Sequence, residues 1–213
     1  MKHFCLSIAG FALAACQTAP GPAVKAAGPI ERVVLAPISV KAISVELSGA
    51  EKARPEWEQA DTQRLHDALV TALQGNGTKT AIGTPTDFAK AVILAEVVLP
   101  EATAANRLPT ANGSGHWTLG PLPHAGDSTL FVVHQTARTT AGHQLAEIGL
   151  GLAFANPLLP DRGKTVTYFA LVEGGTGVLK WADRIEGGDA RTEPGAQALA
   201  EQILAAIGGQ QTP

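Results

Sequence analysis

Cysteine, aromatic residues and charged residues are scarce in this sequence. Two cysteines occur in 213 residues, aromatic side chains account for 5% of the chain and charged ones for 16%. The formal net charge is -3, and no stretch is rich in Lys or Arg, so the sequence lacks the clustered cations that nucleic-acid binding requires. Hydrophobic residues make up 45%, which is enough for the core of a folded domain. The composition predicts one folded domain and no nucleic-acid partner.

The N-terminus has the pattern of an export signal. Lys2 and His3 precede an apolar run over residues 4–12, which has the length of the hydrophobic region of a secretory signal peptide. This run is too short to cross a bilayer, which takes about 20 apolar residues. It ends in Leu13-Ala14-Ala15-Cys16. That ending resembles the lipobox of bacterial lipoproteins, and an ordinary secretory signal followed by a chance cysteine is the alternative.

The lipobox resemblance implies a lipid anchor at Cys16. In lipoproteins with this motif, diacylglycerol is attached to the thiol, the chain is cut before the cysteine, and the new amino group is acylated with a fatty acid such as palmitate. Two or three such chains anchor a protein stably, because each buried methylene contributes about 0.8 kcal/mol. Gln17, where an Asp would retain an enterobacterial lipoprotein, favours the outer membrane. We expect a lipid-anchored protein of the cell envelope that faces the periplasm.

The cysteine count has a chemical consequence. Cys5 would leave with the signal peptide, and the thiol of Cys16 would carry lipid, so the mature chain would have no free thiol. This excludes disulfide bonds, a thiol nucleophile and a cysteine-based zinc site.

The domain organisation follows from composition along the chain. We predict a signal peptide over residues 1–15, a flexible lipid-anchored tether over 16–29, a single α/β periplasmic domain over 30–208 and a disordered tail over 209–213. The tether prediction rests on its Ala, Pro and Gly content and its lack of a periodic apolar pattern.

The apolar pattern predicts alternating strands and helices within that domain. Strands are predicted at residues 31–40, 79–82, 92–99, 129–138, 165–172 and 178–185, helices at 55–74 and 196–207, and a helical turn at 86–91. Residues 92–99 are apolar apart from Glu96, which favours a central strand covered on both faces. The glycine-rich turn at residues 174–177 joins the last two strands in a hairpin. The order predicts an α/β class: a mixed-sheet sandwich with a C-terminal β-hairpin and a closing helix.

No catalytic or metal-binding motif stands out. The six histidines lack the tight pairing of metal sites, and His116 and His124, which share a loop, are the pair that comes nearest to one. Ser114 lies between two glycines but lacks the full pattern of a nucleophile elbow. We therefore predict no enzyme activity, no metal and no cofactor, with a hydrolase or metalloenzyme as a remaining alternative.

Two segments are candidates for binding a partner. The long loop over residues 101–127 contains Trp117 and Leu119, and long loops with an aromatic residue often carry function. The apolar segment over residues 148–155 contains Leu150 and Phe154. Contiguous apolar surface marks interaction sites, but a buried strand or loop packed under the sheet is the favoured interpretation of this second segment.

The hairpin region resembles a known family. Residues 171–181 read LVEGGTGVLKW and are similar to a Leu-Val-Asp-x-x-Thr-Gly-x-x-x-Trp hairpin of lipoproteins with a domain like the curli-secretion lipoprotein and the penicillin-binding-protein activators. Glu173 stands where that family has Asp. The segment Trp117-Thr118-Leu119-Gly120 resembles one in uncharacterised lipoproteins of alphaproteobacteria. The resemblance spans residues 31–207 and implies an adaptor, activator or secretion pore rather than an enzyme. The long apolar hairpins that build the pore have no counterpart here.

These observations lead to one expected function and one alternative. We expect a non-enzymatic envelope lipoprotein that acts as a periplasmic protein-binding adaptor or accessory factor. The alternative is an auxiliary lipoprotein of an envelope transport system that binds a lipid or a small apolar ligand. The sequence leaves the oligomeric state and the partner open.

Overall fold

The structure, a computed structural model, describes residues 31–45, 50–104, 117–123, 127–139 and 165–208. In these ranges the strands are β1 (Arg32–Leu35), β2 (Ser39–Val45), β3 (Glu51–Ala53), β4 (Lys79–Ile82), β5 (Ser128–Thr139), β6 (Thr165–Glu173) and β7 (Leu179–Glu186), and the helices are α1 (Pro55–Gly75), α2 (Pro85–Ala104) and α3 (Glu193–Gly208). The predicted signal peptide, Cys16, the tether, the tail and the segment 148–155 lie outside the described residues and remain predictions.

The strands form one mixed sheet around β5. β1 and β2 run one after the other along the same side of β5 and parallel to it, with Leu35 opposite Leu130 and Ser39 opposite Val133. Pro37 lies in the break between them, because proline has no N–H to donate to a ladder. The single strand predicted over residues 31–40 is therefore two strands. On their outer side β4 pairs with β1 in parallel and β3 pairs with β2 in antiparallel fashion.

The other side of β5 carries the C-terminal hairpin. β6 pairs antiparallel with β5, and β7 pairs antiparallel with β6. The α/β class, the mixed sheet, the hairpin and the closing helix are confirmed.

Two helices cover one face of the sheet. α1 begins with Pro55 in its first turn, and α3 begins after Thr192, whose Oγ1 accepts a hydrogen bond from the N–H of Gly195 at 3.2 Å. The apolar stripes that these helices bury are Leu65, Leu69 and Leu73 on α1 and Leu199, Ile203 and Ile207 on α3. They pack on the sheet residues Val33, Leu35, Leu130, Val132, Phe169, Leu171 and Trp181. Both predicted helices are confirmed.

The opposite face is covered by α2, and here the predicted strand over residues 92–99 is wrong. The buried residues of α2 recur at helical spacing: Phe88, Ala91, Ala95, Leu99 and Ala102. Thr84 caps the helix, since its Oγ1 accepts a hydrogen bond from the N–H of Asp87 at 3.3 Å, and Pro85 fills the first helical position. Residues 92–99 therefore continue the helix that begins at Pro85, and they do not form a separate strand.

The carboxylate of Glu96 fixes the rotation of α2 on the sheet through two contacts. Glu96 accepts a hydrogen bond from Ser39 at 2.7 Å and pairs with Lys41 at 2.5 Å. Both partners lie on β2, so Glu96 marks the side of α2 that is turned toward the sheet. The opposite side of the helix faces away from the sheet. Within the described ranges, no helix combines the length and the apolar character needed to cross a membrane.

Candidate functional site

Residues 117–123, the tryptophan segment, lie along the turn between β6 and β7. The N–H of Leu119 donates to the carbonyl of Gly177 at 2.8 Å, and the N–H of Leu179 donates to the carbonyl of Trp117 at 3.0 Å. Thr118 forms an antiparallel bridge with Val178. The segment therefore adds a short strand-like piece to the end of the hairpin, and its side chains have defined directions.

Two glycines make this close approach possible. Gly120 and Gly177 have φ angles of +78° and +71°, a region that other residues adopt only with strain. A Cβ atom added to Gly177 would stand 1.8 Å from the carbonyl oxygen of Gly120. The turn and the tryptophan segment touch backbone to backbone, so no side chain fits between them.

Gly177→Ala is expected to detach the tryptophan segment and to destabilise the protein by about 2 kcal/mol or more, because backbone strain and a backbone clash add. The matched control is Gly187→Ala: Gly187 has a φ of +85°, and nothing lies within 4 Å of an added Cβ. Gly187→Ala should lower the free energy of unfolding only by the backbone strain at a positive φ angle, about 1 kcal/mol. Urea denaturation and limited proteolysis near residue 117 measure the difference. Equal losses and equal cleavage would contradict the clash.

A charged rim borders the segment on the hairpin. The carboxylate of Glu173 accepts a hydrogen bond from Thr176 Oγ1 at 2.7 Å and lies 3.4 Å from Lys180 Nζ. The Thr176 hydroxyl, and then Lys180, lower the pKa of Glu173. The oxygen of Thr176 also accepts a hydrogen bond from the N–H of Val178 at 3.3 Å. Glu173 thus provides the turn with a carboxylate that stays ionised, in the position where the resembled family has Asp.

The structure separates the residues predicted to bind a partner. Trp117 is half-buried and packs against the core beneath α2. Leu119 is 2% exposed and lies inside that core, which gives its side chain a packing role instead of a place on a binding surface. Leu150 and Phe154 lie outside the described residues.

The outward face of α2 is an apolar surface that the sequence reasoning missed. Ile93, Leu94 and Val97 are 65%, 43% and 57% exposed. They fell within the stretch interpreted as a central strand, where every residue was expected to be covered. The cap formed by Thr84 and Pro85 was the local pattern that pointed to a helix.

A buried polar cluster lies at the far end of β5, on the face covered by α1. Asp61 is 1% exposed, accepts a hydrogen bond from Arg64 at 2.8 Å and forms an ion pair with Arg138. The guanidinium of Arg138 stacks over Trp57, 4.8 Å from the ring centroid. These contacts link α1 to β5 and place Trp57 at the rim of the core.

His134 belongs to the same cluster. It is 1% exposed, and its Nδ1 lies 2.8 Å from the hydroxyl of Thr167. Burial lowers the pKa of His134 to about 4, opposed by Asp61 and Asp189 and assisted by Arg138. The imidazole is therefore neutral at ordinary pH and lies inside the core, where it serves packing and hydrogen bonding.

A metal site needs several ligating side chains close together. In the described ranges, no three His, Cys, Asp or Glu side chains are grouped closely enough to hold a metal ion. His116 and His124, the pair singled out in the sequence, lie outside those ranges.

Solved structures of similar fold extent are found for this chain, whereas family models and curated proteins give no match. No family model matches the chain. No curated protein matches it either. Among solved structures, a single-residue variant of PelC from Paraburkholderia phytofirmans, in its dodecamer, is similar at 12% identity and a TM-score of 0.35, over 90% of this chain and 96% of that one. The PelC dodecamer from the same organism is similar at 14% identity and a TM-score of 0.29, over 91% and 96%. These scores assign neither a family nor an assembly to this chain.

Proposed function

We propose that the protein is a non-enzymatic lipoprotein of the bacterial envelope, anchored by lipid at Cys16 in the outer membrane and facing the periplasm, and that it binds another protein through Trp117. The observation that supports binding at this place is a half-buried tryptophan on a segment whose backbone is hydrogen-bonded to the hairpin turn. The anchor is supported by the lipobox resemblance of residues 13–16.

A tryptophan held in this way suits protein recognition. Aromatic residues account for much of the binding energy at interfaces, and a ring that is already immobilised loses little conformational entropy when a partner binds. The residues beside it are polar and exposed: Thr118, Thr176 and Lys180. An apolar anchor with a polar rim is the usual composition of an interface between two proteins that also exist separately.

Replacing Trp117 by Ala should weaken capture of the partner by about tenfold or more, the effect of losing an anchor worth upward of about 1.4 kcal/mol. The measurement is crosslinking in living cells, purification through a C-terminal tag from detergent-solubilised envelopes, and quantification of the captured protein. A melting curve of each variant accompanies it.

Trp57→Ala is the matched control for this experiment. Trp57 is half-buried like Trp117, but it lies by the C-terminal end of β5, on the face that α1 covers. The control should lower the melting temperature at least as much and leave capture intact. If capture instead follows melting temperature in both variants, Trp117 has only a structural role. If lipid but no protein is enriched over a Cys16→Ala control, the protein is a carrier of an apolar ligand.

A further inference from the structure

The outward face of α2 carries two aliphatic residues between two charged residues of opposite sign, with equal spacing at both ends. Lys90, Leu94, Val97 and Glu101 are all exposed and are spaced by four, three and four residues, so they form one line along the helix. Ile93 lies beside that line. The order is cation, aliphatic, aliphatic, anion.

A line of this kind is complementary to itself when it is reversed. In an antiparallel pair of such helices, Leu94 of each copy faces Val97 of the other. Lys90 of each copy then faces Glu101 of the other, so both ends carry opposite charges. A twofold axis between Leu94 and Val97 produces all four contacts at once, as isologous interfaces do.

We infer that this face binds a second copy of the same chain, with the two α2 helices packed antiparallel. The sheet side of α2 is held by Glu96, whose partners Ser39 and Lys41 lie on β2, so the line points outward in a fixed direction. This inference goes beyond the proposed function, because it concerns a different surface from that around Trp117.

The two charged ends have no partner within their own helix or the described part of the chain. Lys90 and Glu101 are eleven positions apart, which is about 16 Å along a helix, too far for a direct ion pair. The ion pairs formed among the described residues all involve other side chains. A reversed second copy supplies both missing partners.

A membrane surface fits this face less well. Helices that lie in the membrane interface have a polar side rich in Lys and Arg and often bear aromatic residues on the apolar side. The outward line of α2 contains one cation, one anion and aliphatic side chains, and Phe88, the aromatic residue of the helix, is buried. Self-association uses every member of the line, including the anion.

The size of the surface predicts a weak dimer in dilute solution. One helix face buries less than the roughly 1,200 Å² of a standard stable interface. Confinement on a membrane raises the effective concentration of one copy around another. The strength of the dimer in the cell therefore depends on the proposed lipid anchor. The antiparallel arrangement of the two helices does not depend on it.

The test is a charge exchange in the full chain, read by thiol crosslinking. Two differently tagged copies carrying Leu94→Cys are expressed together and treated with a bismaleimide. With Lys90→Glu in both copies, positions 90 and 101 are both acidic, so like charges face each other at both ends of the interface. With Glu101→Lys in both copies, both positions are basic, and like charges again face each other. Each is expected to reduce the crosslinked dimer by about tenfold, because attraction is replaced by repulsion at two places.

The decisive sample combines the two variants. A copy with Lys90→Glu and a copy with Glu101→Lys have opposite charges at both contacts and should crosslink to each other at the level of the parent. The double variant Lys90→Glu/Glu101→Lys should do so with itself. Recovery can come only from contacts between copies. Equal crosslinking in all samples, or none above an Ala198→Cys control on the exposed side of α3, would overturn the inference.

Two further controls keep this result apart from the proposed function. The parent chain without an added cysteine reports any crosslinking through Cys5 or Cys16. Trp117→Ala should leave the dimer unchanged, and the charge variants should leave capture through Trp117 unchanged. If Leu94→Cys instead crosslinks to a different envelope protein, this face belongs to that protein and self-association is overturned.

Discussion

Asp61→Asn is expected to lower the free energy of unfolding by about 3 kcal/mol, because it leaves a guanidinium in the core without its counter-charge. The side chain of Asp61 is 2% exposed and that of Arg138 is 14% exposed, so water replaces little of the lost interaction. Arg64 also loses an ionised acceptor. Arg138 cannot move out freely, since its guanidinium is stacked on Trp57. Urea denaturation of the two proteins at neutral pH measures the effect.

The same substitution elsewhere on α1 provides the control. The side chain of Asp67 is 62% exposed, and its carboxylate contacts Gln63 and His66 at the surface. Asp67→Asn should change stability by no more than about 0.5 kcal/mol. Replacing Arg138 by Met in the Asp61→Asn background should recover part of the loss, because it removes the unpaired charge. Similar losses for Asp61→Asn and Asp67→Asn would show that the buried pair contributes nothing specific.

Lowering the pH from about 6.5 to about 4 is expected to cost about 3 kcal/mol of stability through His134 alone. Its pKa is lowered from the ordinary 6.5 to about 4 by burial. Between these values the unfolded chain takes up a proton at this residue and the folded chain does not, so unfolding is favoured as the pH falls. Above about 6.5 both states are neutral there, and below about 4 both are charged, so the loss stops growing.

Comparison with a His134→Gln variant isolates this contribution. Glutamine keeps a hydrogen-bonding group near Thr167 but does not titrate, so the difference in stability between variant and parent should change by about 3 kcal/mol between pH 7.5 and pH 4. The carboxylates titrate in both proteins and cancel. A constant difference between the His134→Gln variant and the parent would mean that the folded and unfolded chains take up this proton at the same pH, so burial would not lower the pKa of His134.

Helices α1 and α3 and strands β4 to β7 were predictable from the sequence, and α2 was not. In α1 and α3 the outer side is polar, so the helical period is visible. In α2 the outer side carries Ile93, Leu94 and Val97, which fill the gaps between the buried residues and hide the period. A continuous apolar run is compatible with a helix and with a central strand, and only the flanking cap distinguishes them here. The surface proposed for self-association is what obscured the prediction.

The buried polar cluster could not be predicted from the sequence for a different reason. Asp61 lies on α1, His134 and Arg138 on β5, and Asp189 just before α3. No local spacing connects residues that far apart in the chain, and each has an ordinary explanation when taken alone. The contact between Gly120 and Gly177 is also long-range, and it depends on positive φ angles that the sequence marks only by glycine.

The break between β1 and β2 has a consequence for aggregation of the folded protein. Because the interrupted strand takes two different partners, the outer edge of the sheet is divided between β4, with four residues, and β3, with three. Neither is long enough to offer a continuous row of free N–H and C=O groups to another chain. The opposite edge, β7, bears Lys180, Arg184 and Glu186 and has a register irregularity in its pairing with β6. Both edges thus discourage strand-to-strand aggregation, which matters most for proteins crowded together on one surface.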